Sequence, residues 1–231
     1  METGLPHAPH NTLPSTRTLL TSLVASIGRS ATGVEQTISN PLANASEETK
    51  SMLLTLHTLF PNELLPALDL LDRGLVTRFT LGREGMSDKA PGNAHDHSDT
   101  TNEPPEHRST TNQSATYYVR SSAVNARSKY RVDNPTYYEV HLNPWSCSCP
   151  AFAFSAFPAT LRDDQSATVE VDQSTSYGWR FGGVSRGSDA PVCKHLLACV
   201  LIAHCQPFAQ MVEEREVSLE EVAGWAAGWG D

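Results

Sequence analysis

No apolar run in this 231-residue chain approaches the length that crosses a bilayer, so no segment reads as a membrane-spanning helix. The opening stretch, METGLPHAPHNTLPS, has neither a basic start nor an apolar core, and no secretion signal is expected. The Asn-x-Ser matches at Asn44 and Asn112 are then chance. Large apolar side chains are also scarce. Hydrophobic residues make up 39% of the chain, while Pro, Gly, Ser and Thr are frequent, which predicts a modest core interrupted by sizeable unstructured insertions. Cysteine is sparse and odd in number, at five, which argues against a disulfide framework and for thiols that are buried or metal-bound. Positive charge is short as well: 17 Lys and Arg stand against 26 Asp and Glu. The acidity lies in residues 1–116 and in the tail beyond 210, and the cysteine-bearing middle is near neutral. Affinity for phosphates comes largely from cationic side chains releasing counterions, so an autonomous DNA binder is disfavoured and a protein partner is expected.

Local patterns sketch an α+β protein: N-terminal helices, a small antiparallel β-sheet and a C-terminal helix. RTLLTSLVASIGR (17–29) places Leu19, Leu20, Leu23, Val24 and Ile27 on one helical face. A second helix should start from Ser46 as N-cap, with Glu47 and Glu48 in its first turn, and stop before Pro61. A third, ELLPALDLLDRG, has Pro66 near its start and Gly74 just past its end. These leucine stripes are read as core. LVTRFTL (75–81) reads as a strand. Residues 82–115 hold one Met and no other large apolar residue, and are expected to be a disordered insertion in which His95, His97 and His107 sit as solvated side chains. Strands resume at 116–122, 128–133 and 136–142 as an antiparallel meander, the last two joined by a turn at Asn134-Pro135. AFAFSAF should form a helical turn, and 158–190 a second polar loop. PVCKHLLACVLIAHC should form a helix just after Pro191, and an acidic helix should run from about Met211 to Trp225.

The chemistry concentrates in CSCP (147–150) and CKH (193–195). In an extended strand, residues i and i+2 face the same side, so Cys147 and Cys149 can present two thiolates together. Residues two apart in a helix diverge by about 200°, so Cys193 and His195 converge only if Cys193 is at or before the N-cap and His195 lies in the first turn. Pro191 makes that placement natural. Four N/S donors suit one tetrahedral zinc ion with no open position, a structural site. Cys199, His204 and Cys205 are reserve candidates, read as ordinary helix-core residues.

Cys-x-Cys, a variable gap and Cys-x-His together resemble the SWIM zinc finger. CSCPAFAFS, CKHLLA, LFPNELLPALDLLDRG and YYVRSS are similar to the SWIM-containing subunits of Shu complexes, and Ala198 matches an extended Cys-x-His-x-x-Ala form. The insertion at 82–115 and the long loop between the metal pairs depart from that pattern. The resemblance divides the chain into an N-terminal helical segment (1–74), a SWIM domain (75–207) and an acidic tail (208–231). It implies a nuclear, non-enzymatic adaptor in homologous recombination. Such a protein pairs with a RecA-type recombinase paralogue and favours recombinase filaments on single-stranded DNA, touching DNA weakly or indirectly. Cys147, Cys149, Cys193 and His195 would hold the zinc, and Phe152, Phe154 and the N-terminal leucine helices would be either core or partner surface.

Three rivals stand beside it. GVSRG (183–187) matches Gly-x-Ser-x-Gly, but lacks the strand that a nucleophile elbow requires. Arg120, Arg127, Lys129 and Arg131, among Tyr117, Tyr118, Tyr130, Tyr137 and Tyr138, could instead make a SWIM-type DNA-binding face. A ubiquitin-ligase substrate receptor is the third, although the chain shows no helical repeats. Val217, Trp225 and Trp229 in the acidic tail are read as capping the core, with docking on a basic partner surface as the alternative.

Overall fold

The computed structural model describes residues 14–29, 42, 45–82, 115–122, 135–157, 177–185 and 190–229. The insertion at 83–114 with its three histidines, the segment 123–134 and residues 158–176 lie outside this set. Helices α1 (Thr16–Arg29), α2 (Glu47–Leu59) and α3 (Leu64–Asp72) precede strands β1 (Val76–Leu81), β2 (Thr116–Arg120), β3 (Tyr137–His141) and β4 (Ser146–Cys147). Helices α4 (Pro150–Ala156) and α5 (Lys194–His204) follow. A 3-10 turn at Gln206–Phe208, strand β5 (Glu213–Val217) and helix α6 (Leu219–Ala226) complete the chain.

Local chemistry sets the early helices. Ser46 caps α2 by accepting the Thr49 amide at 3.1 Å, and Glu47 and Glu48 lie where the positive end of the helix dipole favours them. Helix α3 ends in a Schellman arrangement: Leu75 N donates to Leu70 O and Gly74 N to Leu71 O, both at 3.0 Å, with Gly74 at φ +59°. The buried face of α1 is rotated from the leucine stripe. Arg17, Leu20, Thr21, Val24, Ala25 and Ile27 are buried, whereas Leu19 is exposed. That rotation lets Arg17 reach inward, with its guanidinium donating to Ser185 O at 2.8 Å and to Ser185 Oγ at 2.9 Å.

The sheet order is β4-β3-β2-β1-β5. Side chains alternate between its two faces, as the strand period requires. Val76, Tyr117, Val119 and Val140 join the main core with α1, α2, α3 and α5, while Phe79 and Tyr118 face a smaller cluster under α6. Helix α5 is buried from His195 to Ile202, as befits a helix apolar on every side. It crosses α1 so closely that a Cβ on Gly28 would lie 2.3 Å from His204 O.

Four expectations need correction. The sheet is mixed rather than antiparallel, because β5 runs parallel to β1. The acidic segment from Met211 is therefore strand for its first half. The free edge of β1 offers it backbone partners, and Arg78 forms an ion pair with Glu214. Strands β2 and β3 pair directly, Thr116 opposite His141 and Arg120 opposite Tyr137, where the expected meander puts 128–133 next to β2; the strand expected at 128–133 itself lies outside the described residues. Finally, the loop at 158–190 is not wholly polar padding: Phe181 is completely buried, its amide donating to Thr21 Oγ1 at 3.0 Å.

Candidate metal centre

The β3–β4 hairpin delivers the first pair of donors. Val140 opposes Cys147 and His141 opposes Ser146. Ser148 then locks the exit, its amide donating to Glu139 O at 3.0 Å and its Oγ accepting the Glu139 amide at 2.9 Å. Backbone that stays extended through Cys149 (φ −76°, ψ 150°) turns both sulfurs to one side. Cys149 is also the N-cap of α4, accepting the Phe152 amide at 3.3 Å, with Pro150 in the first turn. The second pair opens α5. Cys193 is its N-cap in extended conformation, its sulfur accepting the Leu196 amide at 3.5 Å, and His195 sits in the first turn. Two helix N-termini thus aim amide hydrogens at the sulfurs, where negative charge is stabilised.

The four donor atoms, three Sγ and one imidazole nitrogen, all lie within 4.8 Å of one another, and all four residues are buried. Cys147 Sγ is 3.8 Å from His195 Nδ1. That is close to the ~3.6 Å edge of a tetrahedron with ordinary Zn–S and Zn–N bonds. Tyr138 lies over the imidazole with ring centroids 4.6 Å apart. Among the described residues the imidazole has no oxygen or nitrogen partner at either position: Nδ1 meets sulfur, and Nε2 is buried without a hydrogen bond. A buried polar atom left so is costly, and a cation accepting one ring lone pair removes half of that deficit. The sulfurs alone are equally ill at ease. Hydrogen bonding with Cys149 and Cys193, then burial, pushes the Cys147 thiol far up, while bonds from Cys147 and Cys193 hold Cys149 well below the ordinary thiol range. Three thiolates this close ionise together only around a cation. The donor set is compatible with one zinc ion.

The reserve candidates lie elsewhere. Cys199 is wholly buried in α5, where desolvation pushes its thiol well up, and Cys205 donates to Val24 O at 3.5 Å. His204 stacks on Trp179 with ring centroids 3.6 Å apart. Ser185 of GVSRG sits beyond a turn at 181–184, bound by Arg17. Of the tyrosines considered for nucleic acid, Tyr117 and Tyr118 are buried and Tyr137 and Tyr138 half-buried. Arg127, Lys129, Tyr130 and Arg131 lie outside the described residues. Phe152 is buried beneath α4, but Phe154 and Phe157 are 80% and 79% exposed.

Sequence patterns gave no sign of two further parts of the site. Trp145 adopts φ +56°, a left-handed conformation that costs a non-glycine residue about 1–2 kcal/mol. Its buried indole donates from Nε1 to Pro191 O at 2.8 Å and rests on Phe181 with ring centroids 4.8 Å apart. Gly183 (φ +51°) brings the 181–184 turn against the hairpin so tightly that a Cβ would lie 2.1 Å from Asn143 O, and Val184 N donates to that same oxygen at 2.9 Å. The only available signal was an aromatic pair beside Gly182-Gly183 in an otherwise polar stretch.

No curated protein and no solved structure matches the chain. One domain does. The match spans the hairpin and the first cysteine pair, and the fold brings Cys193 and His195 to it from beyond the matched residues. Residues 131–158 carry a SWIM zinc finger, and the chain contains a zinc-binding module of that kind.

Proposed function

We propose that the protein is a non-catalytic, nuclear adaptor in homologous recombination, held in shape by one zinc ion on Cys147, Cys149, Cys193 and His195. It pairs with a RecA-type recombinase paralogue and favours recombinase filaments on single-stranded DNA. The convergence of four buried protein donors carries the reading, because a four-ligand zinc site keeps no position for substrate. The likeness of CSCPAFAFS and CKHLLA to Shu-complex subunits supplies the partner class, and the net charge of −9 favours protein over bare DNA as the direct contact. The zinc supplies no reaction; it joins hairpin to helix. Helix α4, capped by Cys149, and its C-cap residue then offer Phe154 and Phe157 to the partner.

Three forms purified from the native host test this: wild type, Cys193→Ser with His195→Ala, and Phe154→Ala with Phe157→Ala. Metal analysis should find one zinc per chain in the first and third and none in the second. Mass spectrometry should find a RecA-type ATPase with the wild type alone. Recovery of cullin-type ligase subunits, or of no ATPase, would overturn the recombination reading. Stoichiometric zinc in the Cys193→Ser, His195→Ala form would overturn the ligand set.

A further inference from the structure

The two donor pairs lie more than forty residues apart in sequence, so tertiary contacts rather than the covalent path must hold them in register before a metal can bind tightly. The Trp145–Pro191 hydrogen bond joins the residue two before Cys147 to the residue two before Cys193. We propose that Trp145 is the positioning residue of the zinc site: its indole clamps the two donor-bearing segments together and sets how tightly the metal is held. This deepens the zinc reading and rests on it.

Three observations converge. The bond is short, at 2.8 Å, and Trp145 is 3% exposed, so its indole N–H is shielded from water, while Pro191 is half-buried. The ring is fixed from the other side by Phe181, which is itself completely buried and anchored to α1 through Thr21. The left-handed backbone at Trp145 is a conformation that a bulky residue keeps only where its surroundings impose it. It ends the hairpin turn one residue before β4, which carries Cys147. The acceptor is the carbonyl of Pro191, whose ring stiffens the approach to the Cys193 N-cap. The clamp's hydrogen bond goes to a backbone carbonyl, not to a donor side chain. It acts through backbone on both sides, as the groups behind metal ligands do when they orient them.

The test compares wild type, Trp145→Phe and Phe79→Ala, the last a cavity in the smaller cluster under α6, which holds none of the donors. Zinc release to a competing chelator is timed for each, beside its melting temperature. Trp145→Phe keeps a ring and loses the donor, and should weaken zinc binding by about tenfold, the lower end for losing a group that orients ligands. Phe79→Ala should lower the melting temperature at least as much and leave zinc release within about twofold of wild type, against the roughly tenfold or more expected of ligand-orienting groups. Equal weakening in both variants, in step with their loss of stability, would show that Trp145 only packs, and unchanged release in Trp145→Phe would remove the clamp altogether. Should Trp145→Phe fail to fold, hydrogen exchange of the wild-type Trp145 indole decides. Protection that survives chelation supports a clamp formed before the metal, and immediate exchange overturns it. If the wild type binds no zinc at all, the zinc reading itself fails, which is a different outcome from zinc bound equally by both proteins.

Discussion

His204 shows how one side chain ties the stability of the fold to pH. It ends α5, lies flat on Trp179, and burial pulls its pKa down from 6.5 to about 4. The unfolded chain binds a proton there near pH 6.5, while the folded chain refuses it until about pH 4. Stability is therefore full above pH 6.5 and falls as pH drops through that window, by at most on the order of 3 kcal/mol. His204→Phe keeps a ring on Trp179 and removes the titration. Urea unfolding at pH 7.5 and pH 5 should show a smaller loss in the variant than in the wild type. Loss of zinc at low pH affects both proteins alike, so the difference between them reports His204. An identical pH dependence would mean that the imidazole protonates freely in the fold.

At the level of elements, the C-terminal strand and helix act as a second lid on the sheet. Strand β5 occupies the edge of β1, and α6 brings Trp225 over Phe79, Tyr118 and Tyr137 with ring centroids 5.2, 4.8 and 5.0 Å away. Arg215 lies over both Phe79 and Trp225 and forms an ion pair with Glu221. Trp229, by contrast, is largely exposed and joins neither core cluster among the described residues, against the expectation that it caps the core. Trp225 is half-buried, so Trp225→Ala should cost about 2 kcal/mol, less than removal of a fully buried aromatic, while Trp229→Ala should cost little. Denaturant midpoints of the two variants separate these outcomes, and equal effects would contradict the lid. The same elements show what a sequence can disclose. Ser46, Pro66 and Gly74 act within one turn of themselves, and the helix ends they mark are where local chemistry puts them. The spacing of the two donor pairs was equally legible, because side-chain direction in a strand and at an N-cap is a local property. Strand β5 was not legible, since its partner β1 lies more than a hundred residues away and nothing in EEREV announces a parallel edge. Trp145 stayed hidden for the same reason: its acceptor is a backbone carbonyl 46 residues on.

For the molecule as a whole, helices α1 to α5, one face of the sheet and the donor residues share one continuous core, with Leu20, Leu56 and Leu70 in the same cluster as Cys147, Cys149 and Cys193. A change that leaves this core intact should leave both fold and metal intact, and the segment between β1 and β2 is such a place. The two strands pair up to Phe79 opposite Thr116, so the ends of the insertion already lie side by side. Loop-closure entropy grows only with the logarithm of length. Replacing residues 83–114 by a four-residue turn shortens the connection by about three doublings, which should stabilise the fold by roughly 2 kcal/mol. His95, His97 and His107 leave with the insertion, yet zinc should remain at one per chain if the donors are Cys147, Cys149, Cys193 and His195, as proposed. Melting temperature and metal content read the two consequences separately. A lower melting temperature would mean that the insertion packs on the core, and a loss of zinc with the fold preserved would mean that one of its histidines is a ligand.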